Sequence, residues 1–475
     1  MQIATFDFGT TAIKFVVLNE RCEILYKQKI NIDTFFNGEF IEQSPDQWKD
    51  VFIELIKSYK KRDEISSIIC SGQMQDLIFI DENNKSLTNA ILYNDQRGAN
   101  YLSKVSDEIS KKTTIKMNGS IPLLKMYWMK DNNPEILDLT KKILFSPKDY
   151  ITLFLTDKAI ADTVTLSTTG MMDIRKKEYL SSIDIDKNLL PTIYSCGKVV
   201  GVVKKNIAEE LGLNKSLTVF AGSGDGGATT LASGIIKENE ININLGTSGW
   251  LANIGKSPKK GVFNLCAINE GYYINVIPIL NASSVHKWIT KMIFSEDDSK
   301  YNSMDELLDK NIDYETDLIC LPYLVGERYP IADSTIRGSY FGLTPSTSLI
   351  DLVISPLEGV AYSLKQGIAE LGVAAKVISL IGGGALTVAW NQIFANIFEV
   401  PVTVYSDSEY LPSISLISSV LIEKGIINSY ETFIEDMLSK KDKKVYIPQL
   451  ERVENYRDKF EKFKKLYPAL KDINK

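Results

Sequence analysis

The chain has a single histidine, His286, in 475 residues. A triad built on imidazole or a multi-histidine metal site is therefore excluded, and general-base chemistry must come from carboxylate, lysine, tyrosine or cysteine. The setting Ser284-Val285-His286-Lys287-Trp288 reads as a helix, with His286 packing or facing solvent. Cysteines are few and scattered: Cys22, Cys70, Cys196, Cys266 and Cys320 are odd in number, and none has metal-knuckle or redox-pair spacing. Reduced thiols in a cytoplasmic setting are the expectation. No apolar run approaches the roughly 20 residues that span a bilayer. Met1 leads straight into a strand-like run, so no signal peptide is expected. Cationic excess is missing too: 54 Lys and Arg stand against 60 Asp and Glu, a net charge of −6. That balance argues against nucleic acid as a partner.

What is present is enough apolar residue, 44%, for a sizeable core, in a length that suits two or three domains. The N-terminus reads as strands: Ile3 to Phe8, a Gly9-Thr10-Thr11 turn, Ile13 to Leu18, then a third near Glu23 to Tyr26. A helix follows, with Ser44 as cap, Pro45 at its first position and Gln47 closing a capping box. Trp48, Val51, Phe52, Leu55, Ile56 and Tyr59 form its apolar stripe. Strand, Gly-Thr turn and strand recur at Ile241 to Leu245, Gly246-Thr247-Ser248-Gly249 and Trp250 to Ile254. The repetition implies two similar halves, residues 1–235 and 236–475. In the second half, Ser355 to Leu371 reads as a helix with Ser355 as cap, Pro356 at N1, Glu358 closing the box and Gly372 ending it. Leu450 to Tyr467 reads as an amphipathic helix ended by Pro468, and Lys440 to Lys444 as a solvated flank.

Four loops carry the chemistry. The turn Gly9-Thr10-Thr11, with Lys14 beyond, offers backbone N–H groups and hydroxyls to a phosphate. Asp7, at the end of the preceding strand, could hold a hydrated Mg²⁺, an ion that takes one or two carboxylates plus phosphate oxygens. Gly246-Thr247-Ser248 repeats the device, and the pair could clamp a triphosphate. Gly382-Gly383-Gly384-Ala385 follows a strand-like Val377 to Ile381 and lets a flat ligand approach the backbone. The fourth loop, Ala221-Gly222-Ser223-Gly224-Asp225-Gly226-Gly227-Ala228, lies between a short strand and a helix, and its glycines at 222, 224 and 227 are spaced as in a dinucleotide fingerprint. Asp225 would point a negative charge at any pyrophosphate held there. Either the loop is a poor nucleotide cradle, or Asp225 is its purpose. As a general base for phosphoryl transfer an ordinary carboxylate suffices, and the helix N-terminus behind it would favour the ionised form.

Asp7-Phe8-Gly9-Thr10-Thr11, Ser71-Gly72-Gln73-Met74, Asn94-Asp95-Gln96-Arg97 and the loop Gly222 to Gly227 resemble motifs of the FGGY family of carbohydrate kinases. So do Gly246-Thr247-Ser248, Leu321 to Arg328 and Gly382-Gly383-Gly384-Ala385. Ser120 to Trp128 is similar to the family's first signature, and Gly338 to Glu358 to its second, with Pro356 departing from the small or apolar residue usual there. The matches run in family order over nearly the whole chain, and the xylulokinase branch is the most similar. The resemblance implies an α/β protein of two ribonuclease-H-like (actin-like ATPase) domains with a catalytic cleft between them. It implies ATP and Mg²⁺, a small sugar substrate such as the ketopentose D-xylulose, and closure of the domains on both ligands. No nucleic acid or membrane partner is expected, and a homodimer is compatible. By position, Asp225 matches the catalytic base and Asp7 the metal- or phosphate-organising acid. Thr10, Thr11, Lys14, Gly246, Thr247 and Ser248 match phosphate-binding positions. Gly383, Gly384 and Ala385 match the adenosine motif, with Asn391 where a basic residue is commoner. Met74, Gln75, Asp76, Asn94, Asp95 and Arg97 match the sugar-binding segments. Gln75 and Asp76 replace the usual His and Gly, so another ketopentose, a polyol or a related sugar is an alternative substrate. Asp76 reads equally as a pocket residue or as a solvated acid beside it. A non-catalytic actin-like sensor and an NAD-dependent dehydrogenase are the rival functions.

Overall fold

The computed structural model describes residues 1–38, 40–294, 299–406 and 408–473. They fall into two compact units. The first comprises Met1–Ile236, Gly255–Ile274 and Glu409–Lys440, and the second Lys237–Ile254, Asn275–Ser408 and Lys441–Lys475.

The sheet of the first unit orders its strands Val199–Val202, Thr218–Phe220, Ile65–Gly72, Gln2–Phe8, Ala12–Asn19 and Ile24–Asn31. The two central strands, Ile65–Gly72 and Gln2–Phe8, are parallel, and the strand beyond each edge of the parallel set is antiparallel. Their apolar runs are buried on both faces, as a sheet covered by helices requires. The helix Pro45–Ser58 lays Trp48, Val51, Phe52, Leu55 and Ile56 on that sheet, with the Phe52 ring 4.6 Å from that of Phe6. Ser44 caps it by accepting from Gln47 N–H. Only half of the expected capping box forms: the Gln47 side chain bonds Asp33 instead of reaching back to Ser44.

Five successive strands of the second sheet run Gly249–Gly255, Glu240–Leu245, Val377–Ile381, Val402–Tyr405, Lys443–Tyr446. The pairings are antiparallel, parallel, parallel, antiparallel. The first unit repeats that sequence of pairings from Ala12–Asn19 to Val199–Val202. The duplication suggested by two Gly-Thr turns is thus a duplication of sheet topology.

Several readings need correction. The helix assigned to Ser355–Leu371 spans Leu349–Leu371, capped by Ser348 with Asp351 closing a full capping box. Pro356 therefore lies inside the helix. A proline there removes the N–H that would bond the carbonyl four residues earlier, that of Leu352. The Tyr340 hydroxyl donates to that carbonyl at 3.0 Å, which replaces the lost donor. Glu358 closes no box: it is buried and paired with Lys459 of the helix Leu450–Leu470. That helix continues through Pro468. Part of the lysine flank, Lys443 and Lys444, belongs to the outer strand of the sheet. His286 is a packing residue, its ring stacked 5.8 Å from Trp390 and 6.2 Å from Tyr301.

Candidate active site

One strand of the first unit, Ile65–Gly72, gathers the candidate residues at its C-terminal end. Ser71 pairs with Asp7 on one side and with Ser223 on the other. The first of these neighbours leads into the turn Gly9-Thr10-Thr11, the second into Asp225, and the strand itself runs on into Met74, Gln75 and Asp76. The parallel register thus converts three distant stretches of sequence into one cluster.

Asp7 accepts from the Ser71 hydroxyl at 2.9 Å, and its other oxygen lies 3.6 Å from Lys14 Nζ. Thr10 Oγ1 donates to Gln73 Oε1 at 2.9 Å, while Gln73 Nε2 donates to Gln43 Oε1 at 3.0 Å. Gln43 Nε2 returns to the Thr10 carbonyl at 2.6 Å, and Trp48 Nε1 donates to Gln43 Oε1 at 3.1 Å. This closed loop of amides fixes the backbone of the turn. Thr11 is exposed, its carbonyl bonded by Ile32 N–H.

Asp225 is the first residue of the helix Asp225–Ala232, which begins earlier than Ala228. Its Oδ1 accepts from Gly226 N–H at 2.7 Å. Burial and the nearby charge of Asp7 nevertheless push its carboxyl up to about 7. The expectation that the helix terminus would favour ionisation is reversed. One N–H bond does not offset desolvation and a like charge.

The glycines of this loop are packing requirements. A Cβ on Gly222, whose φ is +72°, would stand 2.0 Å from the Cys70 carbonyl oxygen. One on Gly224 would stand 2.2 Å from Met74 Sδ. The spaces that suggested a pyrophosphate cradle are filled by the adjoining strand and by Met74. Beneath the loop lies a buried ionic group. Lys148 Nζ is 2.5 Å from Asp149 Oδ1 and 2.7 Å from Asp162 Oδ2, and donates to the Ala221 carbonyl at 3.5 Å. Asp162 accepts from Val164 N–H, Thr165 N–H and, at 3.4 Å, Gly224 N–H. Burial opposes the Lys148 charge, but Asp149 and Asp162 hold it protonated, above the usual lysine range. Burial pushes Asp149 up to about 7.

Gln75 has a left-handed backbone, φ 68°, and its Nε2 donates to the Thr168 carbonyl at 3.3 Å. Asp76 is fully buried, so the solvated-acid reading does not hold. Its Oδ1 accepts from Tyr93 N–H at 3.1 Å, and its Oδ2 has no hydrogen bond. Lys125, also fully buried, donates to the carbonyls of Gln75 at 3.1 Å and Leu92 at 2.5 Å. Burial drives both groups toward neutrality, Asp76 well upward and Lys125 down to about 7, each partly opposed by the other's charge. Asn94 is exposed. Asp95 is buried, accepting Ile41 N–H, Arg97 N–H and two guanidinium bonds from Arg97 at 2.9 and 2.8 Å. Burial disfavours its charge, but those bonds hold the carboxyl below the usual range. Arg97 also bonds Glu42 and lies over Phe40, 4.3 Å from the ring centre.

In the second unit, Thr247 and Ser248 are exposed at the tip of the Gly246 turn. The helix Ser283–Phe294 starts against that turn: Ser283 and Ser284 N–H donate to the carbonyls of Gly246 and Thr247 at 2.9 and 3.0 Å. Lys287 Nζ donates to Thr247 Oγ1 at 3.2 Å. The glycine run abuts the same turn. A Cβ on Gly382, φ +90°, would lie 2.8 Å from Leu245 backbone, and one on Gly384 2.6 Å from Ser283 Oγ. A Cβ on Gly383 would meet open space. Asn391 is buried, and its Nδ2 donates to the Ala385 carbonyl at 2.9 Å, so it shapes the loop from behind.

Sequence reasoning missed Gln43, Lys125, Lys148, Asp162 and Lys287. The signal for Lys125 was a lysine inside an otherwise apolar run, Leu123 to Tyr127; Lys148, beside Asp149, gave no comparable signal.

Family models match both halves. Residues 2–232 match the N-terminal domain of the FGGY family of carbohydrate kinases and residues 241–410 its C-terminal domain. The chain belongs to this family. It is 25% identical to the xylulose kinase of Staphylococcus xylosus over 97% of this chain and 98% of that one. It is 27% identical to the gluconokinase of Bacillus licheniformis over 98% of this chain and 95% of that one. The crystal structure of ligand-bound xylulose kinase from Lactobacillus acidophilus superposes with a TM-score of 0.89 at 24% identity, covering 99% of this chain and 98% of that one. This FGGY kinase is therefore a sugar kinase, a phosphotransferase with two domains of the actin-like, ribonuclease-H-like fold. ATP is the co-substrate of the family. The sensor and dehydrogenase readings are set aside. No helix among the described residues is long and apolar enough to cross a membrane.

Proposed function

We propose that the protein transfers the γ-phosphoryl group of ATP to a hydroxyl of a small neutral sugar, a ketopentose such as D-xylulose, with Asp225 as general base. The observation that carries this reading is the pairing of Ser71 with Asp7 on one side and Ser223 on the other, which brings Asp225, at the start of its helix, to the Asp7 and Thr10 cluster. Burial and the charge of Asp7 raise the proton affinity of Asp225 toward neutrality, which suits a base that accepts the sugar proton near neutral pH. The proton leaves the hydroxyl oxygen for Asp225 as the oxygen attacks phosphorus and ADP departs. Catalysis otherwise rests on alignment and charge neutralisation.

Met74, Gln75 and Asn94 offer the sugar an apolar edge and two amides. Asp95 and Arg97, bonded to each other, set the segment that carries Asn94. Thr10, Thr11 and Lys14 suit phosphate oxygens, and so do Gly246, Thr247 and Ser248. Gly383, Gly384 and Ala385 receive adenosine, supported by Asn391. Asp7 suits Mg²⁺: it is a single carboxylate, without the three-ligand cluster of a protein-only site among the described residues. The ion would neutralise phosphate charge. The use of ATP fits a cytoplasmic setting.

A coupled ADP-release assay over D-xylulose, other ketopentoses, polyols, glycerol and gluconate tests the reading. Turnover fastest with a neutral ketopentose supports it. Preference for gluconate, the substrate named for one relative, would replace the sugar assignment, and full activity in Asp225→Ala would remove the base assignment.

A further inference from the structure

Two fully buried ionisable side chains, Lys125 and Asp76, tie together the segments 74–76 and 92–93. From the helix Pro122–Asn132, Lys125 Nζ donates to the Gln75 carbonyl at 3.1 Å and to the Leu92 carbonyl at 2.5 Å. From the other side, Asp76 Oδ1 accepts Tyr93 N–H at 3.1 Å. Beside the backbone bridge Leu77–Ile91, the segment 74–76 is thus fastened to 92–93 by two side chains, one a lysine amine and one a carboxyl. Between these fastenings Gln75 is held in the left-handed region, φ 68°, which a non-glycine residue occupies only when its surroundings impose it. Three residues past Leu92, the Asp95–Arg97 pair fixes the outer end of the second segment.

We propose that Lys125 and Asp76 are positioning residues that set sugar selectivity: they fix Gln75 and the 92–95 segment in one relative geometry although neither side chain is exposed to a ligand. The inference rests on the reading above that Gln75 and Asn94 face the sugar. Lys125 is the stronger element, because its amine bridges the Gln75 and Leu92 carbonyls directly. A site whose amides are fixed rejects hydroxyls of the wrong configuration, since a mismatched hydroxyl leaves a buried amide unpaired. A site whose amides can drift accepts epimers more evenly and binds each one less well.

Steady-state kinetics of the full chain with D-xylulose and its ketopentose epimers tests this, using Lys125→Met, Lys125→Gln, Asp76→Ala, Asp76→Asn and Gln75→Ala, with folding checked by circular dichroism. Lys125→Met should raise the sugar KM about tenfold or more and flatten the ratios of kcat/KM among epimers. Its kcat and its KM for ATP should stay within about twofold of wild type. Lys125→Gln, which can still donate to a carbonyl, should recover part of the loss. Asp76→Asn keeps an acceptor for Tyr93 N–H and should be milder than Asp76→Ala. An unchanged sugar KM in folded Lys125→Met overturns the proposal. If Lys125→Met does not fold, equal sugar KM values for Asp76→Ala and Asp76→Asn overturn it. Gln75→Ala separates the two layers: no effect on sugar KM or epimer ratios removes the sugar-site reading itself, whereas an effect there with none in the Lys125 variants removes only the positioning role.

Discussion

Met74 Sδ occupies the space that a side chain on Gly224 would need, 2.2 Å from where its Cβ would stand. The residue before Asp225 and the residue that leads into Gln75 and Asp76 are therefore in direct packing contact. Gly224→Ala should displace Met74 and raise the sugar KM at least tenfold, with the ATP KM little changed. Combining it with Met74→Ala should return part of the stability lost, because overpacking is relieved when the opposing side chain is shortened. Thermal melts and KM values of the two single variants and the double variant check both statements.

Replacing Asp225 by Asn or Ala should lower kcat by about two to four orders of magnitude, the usual contribution of a positioned base. ATP binding measured by calorimetry should persist. Retained turnover in either variant would mean another group accepts the proton.

The same carboxyl gives a pH dependence with a definite sign. Asp225 rises from an ordinary value of 3.8 to about 7 in the folded chain. The folded state therefore keeps a proton that the unfolded state has already released, and stability falls as pH rises through that window. Asp225→Asn removes this dependence. Its melting temperature should match wild type near pH 4 and exceed it by a few degrees at pH 8. In wild type, kcat/KM should rise with pH up to about 7 and then level off. A flat profile between pH 5 and 8 would sink the assignment.

Lys148 sits between Asp149 and Asp162 with no exposure. Lys148→Met strands two buried carboxylates and should destabilise the fold by about 3–5 kcal/mol, measured by urea titration. Asp162→Asn, which keeps the acceptor for Gly224 N–H, should cost less and lower the Asp225 carboxyl, since Asp162 is one of the charges that raise it.

Tyr340 and Pro356 are coupled through the Leu352 carbonyl. Tyr340→Phe should cost about 1–2 kcal/mol in the presence of Pro356, and markedly less beside Pro356→Ala, which restores the backbone donor. Additive effects in the double-mutant cycle would show that the hydroxyl does not substitute for the missing N–H.

The strand-turn-strand units, the helix at Pro45 and the catalytic vocabulary were legible because they depend on neighbours in sequence: alternation, a Gly-Thr turn, a serine before a proline. The helix around Pro356 was misread for the same reason. Ser355-Pro356 followed by Glu358 has the local signature of a start, and the compensation comes from Tyr340, on a separate strand. The glycines at 222 and 224 have the spacing of a dinucleotide fingerprint, but spacing does not reveal that the adjoining strand and Met74 fill the space beside them.

By itself the sequence determined the chemistry available to this protein. One histidine confines base catalysis to carboxylates and their like, and motifs running in order through both halves mark a sugar kinase. Only the tertiary structure decided how those groups behave. Asp225 is raised because burial and Asp7, 218 residues away in sequence, act on it. Asp76 is fully buried, bonded by Tyr93 N–H and influenced by the charge of Lys125 49 residues further on. Desolvation and charge depend on distance in space, and the parallel pairing of Ile65–Gly72 with both of its neighbours sets those distances.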